Sequence, residues 1–95
     1  MTESEIQEFK ETLQNKLNAL APKKIKGLTK VEVIGIFFEE STWEGYPGMM
    51  DITIDTDFDW KNGYDITRNS KIKNFTKNLA SVLLQNDTNI YVYFY

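Results

Sequence analysis

The chain has 95 residues, 41% of them apolar, a formal net charge of −3, and neither histidine nor cysteine. That length and apolar content predict a single domain, residues 1–95, with one modest core. The missing residue types exclude a disulfide framework, an ordinary zinc site, Ser-His-Asp or Cys-His nucleophiles and an imidazole base.

Thr2-Glu3-Ser4-Glu5 has the form of a capping box, so a helix is expected to start there. Ile6, Phe9, Leu13, Leu17 and Leu20 follow at spacings of three and four and share one stripe, which is read as packing on the protein's own sheet. Pro22 predicts the end of this helix at about Ala21. The N-terminus is acidic and amphipathic rather than basic and apolar, so no signal peptide is expected. No apolar run approaches transmembrane length, and the expected location is cytoplasmic. Lys23-Lys24-Ile25-Lys26-Gly27 reads as a solvated connector.

Leu28 to Glu40 reads as a strand that is apolar on both parities, Val31, Val33 and Phe37 on one and Ile34, Ile36 and Phe38 on the other. Such a strand is expected to be central, with Gly35 marking a bulge or a close backbone approach. Glu39 to Gly48 is a turn-rich segment holding Trp43 and Tyr46. Those aromatics either fold back over the core or serve as binding anchors.

Met50 to Trp60, MDITIDTDFDW, carries two patterns on alternate residues. Ile52, Ile54 and Phe58 face a core, while Asp51, Thr53, Asp55, Asp57 and Asp59 face water. Repelling aspartates disfavour a strand, so the ladder serves either to protect a sheet edge or to recognise a partner. Lys61-Asn62-Gly63 closes the strand with a turn signal.

Asn69 or Ser70 is the candidate cap of a second helix, with Ile72, Phe75, Leu79, Val82 and Leu83 on one face, packed beside the first. Asn86-Asp87-Thr88-Asn89 breaks it. Ile90 to Tyr95 ends the chain as a strand with Ile90, Val92 and Phe94 on one parity and Tyr91, Tyr93 and Tyr95 on the other. The element order α-β-β-α-β predicts an α+β two-layer sandwich, two helices on one face of a three-stranded, mainly antiparallel sheet. Strand order 2-1-3 is expected, with the doubly apolar strand in the middle.

Charge is unevenly spread. From Val31 to Asp65 there are nine acidic residues against Lys61 alone, a local net of −8. That field repels phosphate and attracts cationic partners, so no nucleic acid is expected to bind, nor any membrane. Glycines 27, 35, 45, 48 and 63 are scattered and form no phosphate loop. Asp55-Thr56-Asp57-Phe58-Asp59 fails as a calcium loop, because Trp60 stands where glycine is needed and Ile66 where a bidentate glutamate is needed. No enzyme activity, cofactor or metal is expected.

A small acidic α+β domain without histidine or cysteine, with the ladder Asp51 to Asp59, the aromatics Trp43 and Tyr46 and the terminal strand IYVYFY, resembles the immunity proteins of bacterial toxin systems. Those include partners of contact-dependent growth inhibition toxins and other nuclease toxins. The resemblance is of type and shares no motif. It implies a cytoplasmic antitoxin that binds one cognate toxin domain and covers its basic active site with carboxylates. The expected partner-binding residues are Asp51, Asp55, Asp57, Asp59, Glu39, Glu40, Trp43, Tyr46, Tyr91 and Tyr93, in a protein that is a monomer or weak homodimer when free. The alternative is a structural or regulatory domain that self-associates through its open sheet face or an edge strand.

Overall fold

The computed structural model describes residues 1–28, 30–41, 44–45, 47–56, 66–84 and 88–95, with the side chains of all of these except 66–68. Its elements are α1 (Glu3–Lys24), β1 (Val31–Glu39), β2 (Gly48–Thr56), α2 (Ile66–Leu84) and β3 (Thr88–Phe94). The chain is an α+β domain in which two helices pack against a three-stranded sheet and against each other.

α1 begins at the capping box. Thr2 Oγ1 accepts from the Glu5 N–H and Glu5 Oε1 accepts from the Thr2 N–H, both at 3.2 Å. Its buried line is Phe9, Leu13, Leu17 and Ala21. Leu20, expected in that stripe, is 40% exposed, because a row stepping by four drifts around the helix and brings Ala21 inward instead. The helix also does not stop at Ala21. It runs through Pro22 to Lys24, and the Ile25 N–H donates to the Ala21 carbonyl at 2.9 Å. In the last turn the proline forfeits a single N–H bond, and burial of Ala21, Ile25 and Leu28 holds the chain in place.

β1 is an edge strand, not the central one, and the sheet order is β1-β2-β3. β1 and β2 are antiparallel, while β2 and β3, joined through α2, are parallel, so the sheet is mixed rather than mainly antiparallel. The double apolar parity of β1 has a different cause from central placement. Val33 pairs with Ile54 and Gly35 with Thr53, which leaves Ile34 as one extra residue in a bulge. Across it the inward parity switches, so Val31, Val33, Ile36 and Phe38 all belong to the core side while Ile34 and Phe37 are exposed. No atom lies within 4 Å of a Cβ built at Gly35, so this glycine marks the bulge and not a close approach. A close approach occurs at Gly48, where a Cβ would stand 3.0 Å from the Glu39 carbonyl at the base of the β1–β2 hairpin.

The central place belongs to β2, whose Met50, Ile52 and Ile54 are fully buried. With Ile90 and Val92 of β3, Val31 and Val33 of β1 and the buried helix residues, they form one core between sheet and helices. α2 starts at Ile66, so Asn69 and Ser70 lie inside the helix and do not cap it. Asn69, Ile72, Thr76 and Ala80 are buried and Phe75, Leu79 and Leu83 pack at the margin. Val82, expected on that face, is 67% exposed, since the buried row again advances by four.

The outer edge of β1 is closed by side chains of α1. The Gln14 amide donates to the Val31 carbonyl and accepts from the Val33 N–H, and Asn18 Oδ1 accepts from the Val31 N–H at 3.1 Å. These amides occupy positions that another strand would otherwise take.

Candidate functional site: the open face of the sheet

The face of the sheet turned away from the helices is built row by row from the register. Phe37, Asp51 and Tyr91 stand side by side across the three strands. Gly35, Thr53 and Tyr93 form the next row, and Glu32 stands opposite Asp55 beyond it. Toward the hairpin, Glu39 pairs with Met49. Phe37 is 59% exposed, Tyr91 46% and Tyr93 49%, so the aromatic rings stand in solvent on both sides of the central acidic strand. The Tyr95 N–H donates to the Ile54 carbonyl at 2.8 Å and carries the tyrosine series one residue past the strand.

The alternation in β2 is as expected, with Asp51, Thr53 and Asp55 opposite in sense to Met50, Ile52 and Ile54. The ladder's place differs: it lies in the middle of the sheet rather than along an edge. Asp55 is exposed and Asp51 half-buried. Asp51 Oδ1 is buried and has no hydrogen-bond partner among the described residues. Asp57, Asp59, Trp43 and Tyr46 lie outside the described residues.

Glu39 and Glu40 are both exposed, at the end of β1 and just beyond it. Glu40 is already engaged, with its Oε1 2.7 Å from the N-terminal ammonium of Met1. The sequence pattern did not single out Phe37, because the bulge at Ile34 reverses its parity; the glycine at 35 was the signal that could have revealed it.

The layers carry different charge. The three strands hold Glu32, Glu39, Asp51 and Asp55 and no lysine or arginine, whereas α2 holds Arg68, Lys71, Lys73 and Lys77 and no acidic residue. α1 balances four glutamates with four lysines. The molecule is thus polarised from an acidic sheet to a cationic second helix, and the open face lies at the negative end.

Among the described residues, no three acidic side chains converge to hold a metal ion and no helix is long and apolar enough to cross a membrane. Comparison with protein-family models, curated proteins and solved structures finds no match.

Proposed function

We propose that the protein is a protein-binding inhibitor that takes a basic partner on the open face of its sheet. The observation that carries this is the position of Asp51 and Asp55 on the central strand. Carboxylates on an edge strand hinder unwanted pairing, but both edges of β2 are already paired, so edge protection does not account for them. Exposed aromatics flanking carboxylates, on three strands that hold no lysine or arginine, match what a basic protein surface requires. In keeping with the resemblance to immunity proteins, the proposed partner is a cognate nuclease-type toxin domain, neutralised in the cytoplasm by covering its cationic active site. The long-range field speeds encounter, so salt weakens association mainly through the on-rate.

The test is capture with the wild-type protein and with Asp51→Asn/Asp55→Asn, followed by assay of the captured protein. The reading expects a basic domain held by the wild type and lost by the variant, whose nuclease activity falls when the wild type is added. A captured domain held equally by both proteins, or left active in the complex, refutes it.

A second reading has its own support. β3, TNIYVYF, is an edge strand without charge, proline or glycine, unlike β1 with its glutamates and the amides of Gln14 and Asn18. Self-association along β3 follows if that edge pairs with a second copy. Mass in solution decides it: a stable dimer that Val92→Pro turns into a monomer still showing the wild-type circular dichroism supports this reading, and a monomer at high concentration removes it.

A further inference from the structure

We infer that the row Phe37–Asp51–Tyr91 is a seat for one arginine side chain of the partner. The inference rests on the proposed use of the open face and goes further, by naming the group recognised and its position.

Three features of this row set it apart from the rest of the acidic surface. First, Asp51 stands between two exposed aromatic residues, Phe37 on one neighbouring strand and Tyr91 on the other. Adjacent strands lie about 4.8 Å apart, so a group lowered onto the carboxylate meets a ring on either side. Asp55 lacks this frame, because its partner on β1 is Glu32. Second, Asp51 is half-buried and its Oδ1 is shielded without a donor among the described residues. A shielded carboxylate oxygen without a donor is a costly arrangement, and rotation of the Asp51 side chain to present it to a cation that brings its own N–H groups relieves that cost. Third, the three strands supply no lysine or arginine, so the sheet itself places no cation beside Asp51.

These features select guanidinium over ammonium. A guanidinium is planar, carries donors in a fork that fits a carboxylate, stacks on aromatic faces and gives up its hydration more readily. An ammonium is compact and strongly hydrated, and so it gains less between two rings. Exposed carboxylates such as Asp55, Glu32 and Glu39 then discriminate little between the two cations and serve the general attraction.

The experiment uses amide-resolved NMR of the full chain with three capped peptides, acetyl-Gly-Arg-Gly-amide and its lysine and citrulline counterparts. Citrulline keeps the planar shape and loses the charge; lysine keeps the charge and loses the plane. The expected result is a saturable shift centred on Phe37, Asp51 and Tyr91 with the arginine peptide, at least about tenfold tighter than with either counterpart. Asp51→Asn abolishes it, Phe37→Leu or Tyr91→Leu reduces the advantage over lysine, and Asp55→Asn leaves that advantage intact. All four positions are on the solvent side of the sheet, and the dispersion of the spectra reports whether each variant is folded.

Equal binding of the arginine and lysine peptides, or no saturable shift from the arginine peptide at ~20 mM, overturns the arginine seat. If the two cationic peptides act equally but both map to the open face, the broader reading of a basic partner stands without the seat. If their shifts map instead to the glutamates of α1, both fall.

Discussion

Phe37 on β1 stands directly opposite Asp51 on β2, and both belong to the open face of the sheet. That juxtaposition depends on the single extra residue at Ile34. Removing Ile34 restores a regular ladder in which Val31, Val33, Ile36 and Phe38 keep their inward parity and Phe37 keeps its partner. The deletion of Ile34 is therefore expected to fold, at a cost of about 1 kcal/mol or less by denaturant unfolding. Deleting Phe37 instead turns Phe38 outward and Glu39 toward the core, and is expected to cost several times more. Equal damage from the two deletions contradicts the assigned register.

Gln14 holds the edge of β1 as a neighbouring strand would, donating to Val31 and accepting from Val33. Gln14→Ala leaves both backbone groups to water or unpaired, with an expected loss of about 2 kcal/mol. Hydrogen exchange supplies the local readout: the Val33 amide is expected to exchange faster in the variant, while the Ile54 amide changes only as global stability does. An unchanged Val33 rate contradicts the clamp.

Thr76 is fully buried on the core side of α2, and its hydroxyl has no hydrogen-bond partner among the described residues. Valine has nearly the same shape and no hydroxyl to desolvate. Thr76→Val is expected to raise stability by about 1 kcal/mol, read from the denaturant midpoint at constant slope. A loss of stability shows that the hydroxyl is satisfied in solution.

The capping box ties helix stability to pH. The Glu5 carboxyl is held below the usual glutamate range, first by the Thr2 backbone N–H and then by the Thr2 side chain. A depressed folded pKa contributes stability above the unfolded value and loses it as pH falls through the folded value. Glu5→Gln is therefore expected to lower the thermal midpoint at pH 7 and to match the wild type more closely below about pH 4. A difference that does not shrink on acidification removes Glu5 as its cause.

The alternation in β2 and β3 was legible because one face is buried and the side-chain period is two; Ile52 against Asp51 and Val92 against Tyr91 are unambiguous. The capping box at Thr2 was legible for a different reason, since it is closed within four residues. Strand order was not. A bulge at Ile34 gives an edge strand the composition of a central one, and no local signal distinguishes a parity switch from burial on both faces. The helix faces were misread at Leu20 and Val82, because Ala21 in α1 and Thr76 and Ala80 in α2, small or polar, take core positions by the geometry of packing. Phe37 belongs to the open face only through the register that the bulge sets.

The central claim is that the open face receives the partner, and hydroxyl-radical footprinting of the complex with the captured basic domain tests it most directly. Phe37, Tyr91 and Tyr93 are exposed in the free protein and readily labelled, as are Leu20 and Val82 on the helices. The account predicts that labelling of Phe37, Tyr91 and Tyr93 falls severalfold in the complex while Leu20 and Val82 keep their free rates. Protection of Leu20 or Val82, with the three sheet aromatics labelled as in the free protein, contradicts it.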